Sequence, residues 1–153
     1  MLVDAILCNH AEAVNNLLYV AGGGINVSNF QPGAPPPYAI SVGLGLLVTV
    51  PWLETNKQHQ VQIKLIGEDG QDVVLPTRTG AVEPLNLAMA FNVGRPAGIR
   101  PGDEQVVTLA ANLVSLPIPA AGKYEFVIQL DGELVRRLPL RVQPAPGAQM
   151  TFG

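Results

Sequence analysis

The chain predicts an all-β fold, a sandwich of about eight to ten antiparallel strands. Three observations carry this. Apolar residues recur with a period of two, while no stretch sustains a helical period. The 16 glycines and 14 prolines are spread between short apolar runs as punctuation. Two Asp-Gly turns, in "LIGEDGQDVVL" and "VIQLDGELVRRL", each join runs whose apolar faces have matching parity.

The strands follow in order. Residues 2–8, 17–21 and 25–30 come first, with Gly22-Gly23-Gly24 between the second and third. The run 38–50, "YAISVGLGLLVTV", carries no charge. Its face Tyr38, Ile40, Val42, Leu44, Leu46, Val48 and Val50 is a continuous core face. Its other face begins small, at Ala39, Ser41, Gly43 and Gly45, so another surface can approach it closely: a partner or a second copy on assembly, or, as the alternative, a surface of its own domain. A turn or two of helix fits "WLETNKQ" after Pro51, and strands follow at 59–67 and 71–76. In "PLNLAMAFN", Leu85, Leu87, Met89 and Phe91 alternate with asparagine and alanine. Val107, Leu109, Ala111 and Leu113 make the next face, and Tyr124, Phe126, Ile128 and Leu130 the one after. The last strand is 133–142, and residues 144–153 read as a Pro/Gly-rich tail to one domain over 1–143.

Parity sets the expected turns. Glu68-Asp69-Gly70 as a three-residue loop pairs Leu65 with Val73 and Ile63 with Leu75. Leu130-Asp131-Gly132 as a loop pairs Ile128 with Leu134 and Tyr124 with Leu138. Gly70 and Gly132 are then expected at positive φ. Antiparallel hairpins at this length favour an immunoglobulin-like sandwich, with a partly open barrel as the alternative.

Composition narrows function. Charged residues are 14% of 153, against ~25% for ordinary soluble domains. Net charge is −3 with the basic residues scattered, which gives no footprint for nucleic acid. The uncharged run 38–50 is 13 residues, short of the ~20 a membrane helix needs. The N-terminus has no basic n-region and places Asp4 inside its apolar part, unlike a secretory signal. The reading is a cytoplasmic protein, or one within an assembled particle, without membrane insertion.

The three glycines raise the question of a phosphate loop. Such a loop needs a helix behind it. "INVSNFQPGAPPPY" cannot open one, so they are read as a bend where another backbone comes close. His10 and His59, with Glu12 and Glu54 nearby, are expected to be dispensable polar side chains near strand ends. Neither Ser28, Ser41 nor Ser115 sits in a nucleophile elbow. Cys8, the one cysteine, lies on an apolar strand where thiols are inert. Arg137 and Arg141 face away from the apolar set, Arg136 shares its parity, and Arg95 and Arg100 lie on the irregular loop before Asp103. No catalytic, cofactor-binding or metal residue is assigned.

Leu18-Tyr19-Val20 with Gly22 to Gly24, Pro51-Trp52 with Glu54, Asn56 and His59, and Gly122-x-Tyr124 before Asp131-Gly132 carry a resemblance. The sequence resembles a family of small uncharacterised bacterial all-β proteins, a domain of unknown function. The resemblance implies a one-domain β fold of bacterial or phage origin, and no catalytic or ligand residues. The expected function is a non-enzymatic interaction or assembly module, a component of a larger bacterial or phage particle, with a protein partner or a homo-oligomer. The alternative is a sandwich binding a small ligand or glycan.

Overall fold

The computed structural model describes residues 1–77 and 79–147; of the tail, 148–153 lie outside them. Among the described residues the strands are β1 (Leu2–Cys8), β2 (His10–Val14), β3 (Leu17–Ala21), β4 (Val27–Phe30), β5 (Tyr38–Val50), β6 (Gln58–Gly67), β7 (Val74–Pro76), β8 (Val82–Pro84), β9 (Asn86–Asn92), β10 (Gln105–Ile118), β11 (Gly122–Leu130) and β12 (Glu133–Pro144). A 3-10 turn, Trp52–Glu54, follows Pro51 where a helical turn was expected.

Two sheets form the sandwich, β1-β5-β10 and β4-β12-β11-β6-β9. With β4 left aside, this is the immunoglobulin-like order: the first, second and fifth remaining strands (β1, β5, β10) face a sheet built on the last two and the third (β12, β11, β6). β4 joins the larger sheet parallel to β12, the other ladders being antiparallel. Tyr124, near the start of β11, donates its hydroxyl to the Ala120 carbonyl, the corner that recurs at this place in such sandwiches. The remaining four strands make two hairpins, β2-β3 and β7-β8.

The alternating faces meet as read from the sequence. Leu44, Leu46, Val48 and Val50 of β5 pack with Val61, Ile63 and Leu65 of β6 and with Phe126 and Ile128 of β11, all buried. Burying Phe126 alone is worth about 2–3 kcal/mol.

Of the two coverings open for the other face of β5, a partner or the domain itself, the structure shows the second. The small residues of that face do receive a close surface, and that surface is the chain's own β2-β3 hairpin. A Cβ on Gly43 would stand 2.7 Å from Asn112 Oδ1 and 3.2 Å from the Ala11 nitrogen, and one on Gly45 3.1 Å from Leu18. Asn112 fastens the hairpin: its Oδ1 accepts from the Ala11 N–H (3.0 Å), and its Nδ2 donates to the Ala11 carbonyl (2.8 Å). Asn16, in the hairpin turn, does the same to β10, accepting from Thr108 N–H and donating to the Val106 carbonyl. The three glycines complete the attachment. Gly24 and Ile25 donate to the Leu7 carbonyl, and a Cβ on Gly23 would stand 2.8 Å from Ile6. They are a bend against β1, as expected.

The two Asp-Gly turns part company. In the first, Val73 N–H donates to the Leu65 carbonyl and Gly70 has φ +76°, which matches the predicted loop. The predicted Ile63–Leu75 pair does not form, because β7 leaves to pair with β8 and β9 takes its place, setting Leu87 opposite Ile63. In the second, the loop is Asp131-Gly132 alone, with φ of +50° and +85°, and Leu130 pairs with Glu133. A bulge then adds one residue to β12 between Leu134 and Arg136, so Tyr124 faces Leu140 rather than Leu138. Parity is restored by the bulge instead of the loop. Gly70 and Gly132 have open space where a side chain would stand, so only their backbone resists substitution. Gly70→Val and Gly132→Val are each expected to cost about 1 kcal/mol or more in urea unfolding.

Candidate functional site

The outer face of the larger sheet carries a cleft over β11 and β12. Alternation along β11 and β12 sends Lys123, Glu125, Arg137, Pro139, Arg141 and Gln143 outward, away from the core set Tyr124, Phe126, Leu138 and Leu140. Two walls rise beside them: Asn26 and Val27 at β4, and the turn after β6 with Gly67, Glu68 and Gly70. They enclose an open cleft of about 800 Å³. That volume suits a small ligand or a short stretch of a partner chain.

Charge is distributed unevenly within it. Arg137 Nη1 lies 3.1 Å from Glu125 Oε2, an ion pair along the cleft floor. Lys123 and Arg141 are directly opposite in the β11–β12 register, two like charges on neighbouring strands. Among the described residues neither is within ion-pair distance of a carboxylate. Like charges so placed repel, and an anion seated between them turns repulsion into attraction. The sequence indicated Arg137 and Arg141 as outward-facing. Lys123 was missed, since its partnership depends on a register displaced by the bulge.

The other residues singled out from sequence are engaged elsewhere. Arg136 reaches Asp4 Oδ1 at 3.3 Å and ties β12 to β1. Arg95 lies over the Trp52 ring, 3.7 Å from its centre, and donates to Thr55 Oγ1 and the Trp52 carbonyl. Asp103 accepts from the Arg100 backbone N–H within a turn. Ser41 Oγ accepts from the Ser115 N–H at a bulge in β10. Cys8 is fully buried, and burial pushes its thiol up despite a backbone hydrogen bond at His10.

The histidines differ sharply. His10 is exposed and pairs with Glu12 at 2.9 Å, as neighbours on one strand face. His59 is not the dispensable polar side chain expected: it is only 2% exposed. Its Nδ1–H donates to Asp131 Oδ2 (2.6 Å) and its Nε2–H to the Glu54 carbonyl (2.7 Å). Both partners are acceptors, an arrangement that favours the doubly protonated ring. Burial alone would lower the His59 pKa, but the Glu54 carbonyl and the Asp131 carboxylate outweigh it and hold it above its ordinary value. For Asp131, burial pushes up while His59 and the Gln60 N–H pull down, and the net is below the usual carboxylate value. Among the described residues, no three His, Cys, Asp or Glu side chains converge on a point able to hold a metal.

A family model, Family of unknown function (DUF6941), matches residues 3–143. The chain belongs to DUF6941. The match runs from β1 into β12, so the DUF6941 region includes both sheets, the hairpin beneath which Cys8 lies, and the cleft. No curated protein matches the chain. Among solved structures it is similar to Pseudomonas fluorescens alkylpurine DNA glycosylase AlkC bound to DNA containing an abasic site analog, at 10% identity and a TM-score of 0.39. That likeness covers 91% of this chain and 30% of the glycosylase chain, and carries no functional argument. No helix among the described residues is long and apolar enough to cross a membrane.

Proposed function

We propose that this DUF6941 protein is a non-enzymatic interaction module that receives an anionic group, carboxylate or phosphate, in the cleft between β4, β12, β11 and the 67–70 turn. The observation that carries this is the Lys123–Arg141 pair: two cations with no ion-pair partner among the described residues, opposite each other in a cleft of about 800 Å³. Arg141 can offer a bidentate fork to the anion and Lys123 a point charge. A non-enzymatic role is supported by where the reactive groups stand. His59 has both ring nitrogens occupied, and Cys8 lies buried under the hairpin.

A glycan is the less favoured occupant. Sugar sites rest on exposed aromatic faces, whereas the cleft's one aromatic, Tyr124, has a buried ring and points its hydroxyl to Ala120. A place in a larger particle is compatible with the module, with the cleft as one contact surface.

Titration calorimetry tests the reading with two probes, inorganic phosphate and an acidic peptide. Arg141→Gln and Lys123→Gln are each expected to weaken binding about tenfold, the effect of losing one charge-assisted contact. Both positions are exposed, so the fold should tolerate the changes. Absence of binding by the unmodified protein, or binding by either variant as tight as that of the unmodified protein, would contradict it.

A further inference from the structure

The sandwich is closed on one side, where β12 meets β1 through Arg136 and Asp4. On the other side lie the edge strands β9 and β10. The core is least covered there: Leu87, Met89 and Phe91 of β9 and Val107, Leu109 and Leu113 of β10 pack against it but are only half-buried.

A free edge is a template for another strand, and proteins blunt edges with charge, proline, bulges or short length. Three of the four edges here are blunted. β1 carries Asp4. β10 has a bulge between Leu113 and Leu116, and Asn16 occupies its backbone at Val106 and Thr108. β4 is four residues long. β9 has no such device. It is seven residues in unbroken register with β6, without a proline, and no charged residue occurs from 84 to 94. Among the described residues no side chain bonds to its backbone.

Its sequence is also symmetric. Asn86-Leu87-Ala88-Met89-Ala90-Phe91-Asn92 reads alike from both ends by residue class. A two-fold interface requires a patch complementary to itself. We infer that two copies of this chain associate by antiparallel pairing of β9 with β9, about a two-fold axis at Met89. This register sets Asn86 against Asn92, Leu87 against Phe91 and Ala88 against Ala90. Amides meet amides, and the half-buried Leu87 and Phe91 cover one another. On the exposed face, Ala88 and Ala90 leave room for the second sheet, and the two five-stranded sheets become continuous. A strand from an unrelated protein would have no use for the symmetry.

Sedimentation equilibrium of the full chain, in a dilution series up to about 100 μM, reads a micromolar dimer. Three forms are compared, with circular dichroism confirming the fold of each. The unmodified protein is expected to dimerise. Ala88→Lys with Ala90→Lys places like charges at both symmetric Ala88–Ala90 contacts and should weaken the dimer about 100-fold. Ala88→Glu with Ala90→Lys places opposite charges at those same contacts and should recover association to within about tenfold. A strict monomer would overturn the inference. So would a dimer indifferent to the paired lysines, which would use another face, or failure of the opposite-charge form to recover, which would exclude the Met89 register.

Discussion

His59→Ala is expected to destabilise the fold by about 2–4 kcal/mol, from a buried void and two lost hydrogen bonds. The ring links three parts of the chain: the start of β6, the 3-10 turn through the Glu54 carbonyl, and the β11–β12 turn through Asp131. Asp131 Oδ1 also accepts from the Gln60 N–H, so the turn is held to β6 from both carboxylate oxygens. The pH dependence has a definite sign. His59 is raised in the folded state, so its contribution is complete below its unfolded value of ~6.5 and is lost as pH rises through the folded value. Asp131 is lowered, so its contribution is complete above ~3.9 and is lost as pH falls through its folded value. These are two views of one interaction, at full strength between about pH 4 and 6.5. Urea unfolding should therefore show the gap between wild type and His59→Ala narrowing above neutrality. A constant gap from pH 6 to 9 would mean that the ring acts through packing alone.

Gly43→Val should cost about 3–5 kcal/mol and unseat the β2-β3 hairpin. A side chain there meets Asn112 Oδ1, Cys8 Sγ at 3.0 Å and the backbone nitrogen of Ala11. None is free to withdraw, since Asn112 is fixed by both of its bonds to Ala11. Overpacking of this kind costs about 1–3 kcal/mol, and separating Asn112 from Ala11 adds the loss of two hydrogen bonds. Amide exchange should then accelerate across 10–21 while β6 and β11 stay protected. An unfolding free energy within ~0.5 kcal/mol of wild type, the range of an innocuous surface change, would show that the hairpin does not depend on this contact.

The two-sheet architecture was legible because alternation is local. Each core face, from Leu44 on β5 to Phe126 on β11, could be read from its own strand. What escaped depends on sums or distant partners. The β11–β12 register is one case: parity fixes the total of loop and bulge residues, and one extra residue between Leu134 and Arg136 satisfies it as well as a longer loop. An Asp-Gly pair between strands is the strongest two-residue turn signal, and here local turn chemistry was the better guide than parity. β2 was missed because "HAEAV" exposes all but Ala11 and has little apolar pattern of its own. The small face of β5 was read correctly as a place of close approach, but no local pattern says whether the approaching surface belongs to another molecule or to residues 10–21. His59 looked ordinary because its partners, 5 and 72 positions away, come together only when β6 and the β11–β12 turn are in place. The cleft was half visible, in its arginines. Lys123 joined them only through the displaced register.

The most direct test of the cleft as the interaction surface is an amide chemical-shift titration of the unmodified protein with inorganic phosphate and with an acidic peptide. Perturbations are expected at 26–27, 67–70, 123–125 and 137–143, with saturation at a single site and matching loss in Arg141→Gln. Shifts centred instead on β2-β3 or β9, or spread evenly over the surface, would contradict the account.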